Sequence, residues 1–175
     1  MDVLKRNNVS VRGDQSQAIM FSHGFGCDQN MWRFVASAFE DTYKVVLFDH
    51  VGAGNSDLSA YSKDKYASLD GYAEDIVEIG RALGLKDAIF VGHSVSSMIG
   101  IIAASQASEL FSKLVLVGPS PCYIDDGDYR GGFTKAQIEE LLDALESNHM
   151  GWSMSMAPVI MGAENSAELS GERSE

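Results

Sequence analysis

The sequence predicts a mostly parallel α/β sheet with helices packed against it, and three observations carry that prediction. Short apolar runs at residues 17–22, 44–49, 88–91 and 113–118 have the length of buried strands. Longer segments with apolar residues at helical spacing lie between them, the alternation that parallel units require. Finally, residues 88–100 read as a strand that turns at once into a helix, through Gly92-His93-Ser94-Val95-Ser96.

The elements follow in order. Residues 3–5 and 9–11 flank Asn7-Asn8, residues that tolerate left-handed turns, so an N-terminal hairpin is expected. The strand at 17–22 ends at His23-Gly24-Phe25-Gly26. Asp28 then caps a helix with Trp32, Val35, Ala36 and Phe39 as its apolar stripe. The strand at 44–49 leads into the loop Gly52-Ala53-Gly54-Asn55-Ser56. Ser68 opens a helix with Leu69, Tyr72, Ala73, Ile76, Gly80 and Leu83 on one face, stopping at Gly84.

The strand 88–91 and a helix over 95–104 come next, then the strand 113–118. Residues 119–132 are loop, rich in Pro, Gly and Asp. Thr134 and Gln137 form a capping box for a helix whose stripe is Ile138, Leu141, Leu142 and Leu145. The Met-rich stretch 152–161 is expected as a second short helix over a pocket. The division expected is 1–120 for the core, 121–162 for the start of a helical lid, and 163–175 for a polar, acidic tail.

Composition narrows the function. Hydrophobic residues make up 45% and charged residues 22%, ordinary for a globular domain. A net charge of −12 argues against nucleic acid or an anionic membrane as partner. No apolar run is long enough to span a bilayer. The N-terminus has no apolar leader core, so a cytoplasmic location is expected. Cys27 and Cys122 form neither a metal nor a redox pair, and each is expected to be a buried small hydrophobe. No metal-ligand spacing and no cofactor motif emerge. Gly52-x-Gly54 lacks the third glycine and the helix of a dinucleotide fingerprint.

The chemistry is expected at the sharp strand-to-helix turn. Gly92-x-Ser94-x-Ser96 is close to the G-x-S-x-G nucleophile elbow, with Ser96 in place of the second glycine. Such a turn exposes the Ser94 hydroxyl, and the helix start behind it offers backbone N–H groups to a developing oxyanion.

Five segments in register then point to a family. They are His23-Gly-Phe-Gly-Cys-Asp-Gln29, Phe48-Asp49 through Gly54, Gly92-His-Ser-Val95, Gly118-Pro-Ser-Pro-Cys-Tyr123 and Gly131-Gly-Phe133. Together they resemble the α/β-hydrolase fold, in the branch of RsbQ-type bacterial stress-signalling hydrolases and plant karrikin and strigolactone receptors. The resemblance covers the chain to about Gly162. It implies Ser94 as nucleophile, with the N–H groups of Phe25 and Val95 forming the oxyanion hole. It also implies His23, Phe25 and Trp152 as pocket residues.

The fold's triad runs Ser, then Asp or Glu, then His, each after a later strand. No strand is readable after Gly118, so the chain resembles the N-terminal part of a family member and is expected to lack the triad acid and base. His149, preceded by Asp125, Asp126 and Asp128, fits the bare order but sits at a helix end, where a histidine suits the dipole. His93 and His50 make no persuasive base either.

The function expected by resemblance is that of a serine hydrolase of a small, mostly apolar ester or lactone. The alternative is a ligand-sensing protein with little turnover, acting through a partner. For the RsbQ-like case that partner is a phosphatase with a sensor domain.

Overall fold

The computed structural model describes residues 2–148 and 151–152. It divides into two compact units, Met1–Ser120 and Pro121–Glu175.

In the first unit, five strands among the described residues form one sheet in the order β1-β3-β2-β4-β5. They are β1 (Ser10–Arg12), β2 (Ala18–Ser22), β3 (Lys44–Leu47), β4 (Ala88–His93) and β5 (Phe111–Val117). All pairs are parallel except β1 with β3. Alternate residues of the central strands supply two cores, as a sheet buried on both faces requires. Met20, Val46 and Phe90 pack with the helices α3 (Leu69–Ala82) and α4 (Val95–Gln106). Phe21, Leu47 and Val91 pack with Trp32 and Ala36 on the other face.

The helix caps follow the sequence. Ser68 caps α3 and Gly84 follows it at φ 63°. The Asp28 carboxylate accepts from Asn30 N at 2.7 Å. The helix after it is broken, a 3₁₀ turn at Gln29–Trp32 and then α2 (Arg33–Ala36), and Val35 faces solvent instead of joining the apolar stripe.

The expected N-terminal hairpin is not formed. Val3–Arg6 is a helical turn, α1, with Asp2 accepting from Leu4 N at 3.0 Å. Asn8 does take a left-handed conformation, φ 45°, but it closes this helical turn instead of joining two strands. Long-range electrostatics overrides the strand propensity of Val3. Arg6 reaches the buried carboxylate of Asp75 at 2.8 Å and Glu78 at 2.7 Å, both on α3. Lys65 and the Tyr66 hydroxyl also reach Asp75, at 2.7 and 2.9 Å, so this buried charge is paired and hydrogen-bonded.

In the second unit, Asp125 Oδ1 accepts from Gly131 N at 2.8 Å and Gly132 N at 3.0 Å. Thr134 and Gln137 form the reciprocal capping box at the start of α5 (Lys135–Ser147). His149 and residues 153–161 lie outside the described residues.

Candidate active site

The site is assembled at the carboxyl ends of β2, β3 and β4, where open parallel sheets place their chemistry. Ser94 sits between β4 and α4 at φ 56°, ψ −121°. A residue with a Cβ is strained there by about 1–3 kcal/mol, so the surroundings must enforce the turn. They do so from three sides. Ser94 N donates to Val117 O of β5 at 2.8 Å, Ser97 N donates to Ser94 O at 2.9 Å, and Ser97 Oγ donates to Gly92 O at 2.8 Å. A Cβ on Gly92 would stand 2.5 Å from the carbonyl oxygen of Ser96, so only glycine allows the helix to start this close to its strand.

The loop after β2 lies against this turn. A Cβ on Gly24 would stand 2.5 Å from His93 Nδ1 and 3.2 Å from Ser94 Cβ. Phe25, the next residue, has an exposed ring, while Ser94 and Val95 are half-buried. The structure thus brings the His23-Gly24-Phe25 segment, Ser94 and Val95 to one place. Trp152 belongs to the second unit, where its backbone N–H donates to Asn148 O at 2.9 Å. Cys27 is half-buried and Cys122 exposed, so neither is the buried hydrophobe expected.

Beneath the loop lies a buried polar group in which the sequence reading gave Ser22, Asp49 and Ser96 no role. His50 Nε2 is 2.8 Å from Ser96 Oγ and 3.1 Å from Ser22 Oγ. This Ser96–His50 pair is not an accessible nucleophile and base, because both residues are buried. Burial, then the neighbouring His23, holds the His50 pKa down to about 3, so its ring is neutral. Burial also lowers the pKa of His23, whose hydrogen bond to the Gly24 carbonyl and whose neighbours Asp49 and Asp28 act the other way.

Asp49 anchors the adjoining loops. Burial alone would raise its pKa, but hydrogen bonds from Asn8 Nδ2, Gln29 N and Asn55 N outweigh burial and lower it. A Cβ on Gly54 would stand 2.5 Å from this carboxyl group, which accounts for the glycine. Gly52-x-Gly54 therefore wraps a carboxylate of the chain itself. A signal was present in the sequence: Ser22, Asp49 and His50 are polar residues closing apolar strands.

Among the described residues, no group of three or more His, Cys, Asp or Glu side chains is placed to hold a metal ion. Nor is any helix there long and apolar enough to cross a membrane.

The chain is similar to known proteins. The chain is 40% identical over 162 residues to the karrikin insensitive 2 receptor CA of Petunia hybrida, covering 93% of this chain and 60% of that one. It is 41% identical over 163 residues to a strigolactone esterase of Arabidopsis thaliana, covering 93% and 61%. The solved structure of a hydrolase from Oleispira antarctica superposes with a TM-score of 0.88 at 45% identity, covering 99% of this chain and 64% of that one. The chain therefore spans about three fifths of the length of these curated relatives. Residues 17–146, which hold β2 to β5 and the Ser94 turn, match the family described as alpha/beta hydrolase fold, and the chain belongs to that family.

Proposed function

We propose that the chain carries the nucleophile and oxyanion half of a serine hydrolase acting on a small, mostly apolar ester or lactone. Ser94 Oγ attacks the carbonyl carbon, and the N–H groups of Phe25 and Val95 receive the charge that develops on the carbonyl oxygen. The observation behind this reading is the strained Ser94 backbone with Gly24 packed directly against it. A protein keeps such strain where it serves a site. Residues 1–120 then form the N-terminal part of the hydrolase core, residues 121–162 begin a helical lid and residues 163–175 are a polar tail. The location is cytoplasmic.

The attack needs a base to take the Ser94 proton. The rings of His23 and His50 are engaged with Gly24, Ser22 and Ser96. The His93 ring packs edge-on against Trp32, with centroids 6.5 Å apart. The chain by itself should therefore release p-nitrophenol from p-nitrophenyl acetate slowly or not at all. Rapid hydrolysis lost on His149→Ala would instead make His149 the base.

The reading itself is tested with a serine-directed fluorophosphonate and peptide mapping. A slow adduct on Ser94, absent in Ser94→Ala, is expected; equal labelling of that variant removes Ser94 as nucleophile.

A second reading rests on the similarity to a receptor as well as to an esterase. In it the fold senses a small ligand with little turnover and works through a partner protein. In an RsbQ-like setting that partner is a phosphatase with a sensor domain. Many turnovers per chain favour the hydrolase; one slow event accompanied by altered partner binding favours the sensor.

A further inference from the structure

Ser96 stands where a second glycine would complete the elbow pattern, and its hydroxyl joins three strand ends. Ser96 Oγ donates to the His23 carbonyl at 2.5 Å, and Ser22 Oγ donates to Ser96 Oγ at 2.8 Å. Each hydroxyl has one proton, and both are then committed. The His50 Nε2 that approaches both hydroxyls must therefore carry a proton and donate it. Independently of its ring, the His50 backbone N–H donates to His23 Nε2 at 3.0 Å. That bond leaves the His23 proton on Nδ1, which donates to the Gly24 carbonyl at 3.0 Å.

The last acceptor is the informative one. The Gly24 carbonyl and the Phe25 N–H belong to a single planar peptide unit, so fixing one fixes the direction of the other. We infer that Ser96 and His50, acting through His23, are positioning residues that set the direction of the Phe25 N–H toward the Ser94 turn. The inference rests on the hydrolase reading for the role of that N–H. It goes further in assigning the elbow's departure from glycine a task.

Amide hydrogen exchange on the whole chain tests it. Ser96→Ala should speed exchange of the Gly24–Cys27 amides at least tenfold while leaving Val91 and Ile99 within twofold. His50→Gln keeps an N–H donor and should preserve the protection; His50→Leu should lose it. In fluorophosphonate labelling, Ser96→Ala should lower the saturating rate and leave the half-saturating concentration unchanged, a split that general destabilisation does not produce.

Unchanged loop exchange in Ser96→Ala, or like behaviour of the two His50 variants, overturns the inference. If the variants do not fold, imidazole nitrogen NMR of the unmodified chain decides. Protonated Nε2 on His50 with protonated Nδ1 on His23 supports the inference, and the reverse tautomers overturn it. An unmodified chain that takes no label counts against the hydrolase reading alone, since the exchange and tautomer measurements do not depend on it.

Discussion

Gly24 meets Ser94 so closely that a single added methyl carbon would stand 3.2 Å from the Ser94 Cβ and 2.5 Å from the His93 ring. That contact sets the spacing between the loop after β2 and the serine turn. Gly24→Ala should push the loop away, destabilise the fold by about 1–3 kcal/mol through overpacking, and cut fluorophosphonate labelling of Ser94 more than tenfold. Denaturant melts and label mass spectra measure both effects. A variant that labels like the unmodified chain would mean that the loop has no part in the site.

The serine turn and its strand were legible because Ala88 to Val91 is an uninterrupted apolar run ending at a glycine, a pattern set by local chemistry. The same holds for the Thr134–Gln137 capping box, whose partners are three residues apart. The N-terminal turn was not legible. Its conformation depends on Arg6 finding Asp75 and Glu78, far along the chain, and spacing alone does not reveal such a partner. In the sequence Ser96 is visible only as a departure from the second glycine of the elbow. Its importance comes from Ser22, His23 and His50, which only the sheet order brings beneath it.

Strain at Ser94 makes opposite forecasts for two small replacements. Both Ser94→Gly and Ser94→Ala remove the hydroxyl, but glycine adopts φ 56°, ψ −121° freely and alanine does not. The glycine variant should therefore be more stable than the alanine variant by about 1 kcal/mol or more, and neither should take a phosphonate label. Equal stabilities by chemical denaturation would show that the turn stores no strain.

Acid should weaken the fold. His50 binds its proton only near pH 3 when folded but near 6.5 when unfolded, so between these values the unfolded chain holds more protons. Stability then falls as pH falls, by roughly 1.4 kcal/mol per pH unit for one histidine. His23, also lowered, acts in the same direction. Asp49, whose folded pKa lies below its unfolded value, contributes stability that is lost at still lower pH. Urea midpoints measured from pH 7 to pH 4 should decline steadily. The slope should be shallower in His50→Gln, which has no ring to protonate; a flat profile would contradict the neutral buried pair.

Among the described residues β5 is an edge strand, and it carries Val115, Leu116 and Val117, exposed to 45%, 36% and 40%. An apolar edge strand is a template for pairing with another copy. The isolated chain should therefore self-associate at micromolar concentration by light scattering after size exclusion, and Val115→Lys should shift it toward monomer. A monomer at every concentration would show that the edge is protected.

The junction under the serine turn also has a consequence for the order in which the chain folds. Ser22 and Ser96 lie 74 residues apart, and Ser96 and the His23 carbonyl 73. Closing so long a loop sacrifices chain entropy before any contact repays it, and sheets built from distant pairings form slowly. The apolar strands must therefore find their register first, and the hydroxyl and imidazole groups click into place only when β2 and β4 lie side by side. Trp32, whose ring is tilted against Phe21 and edge-on to His93, offers a fluorescence signal for that final step. A chemically competent turn is then the last thing this chain acquires, so a nascent or partly folded copy holds a sheet before it holds a site.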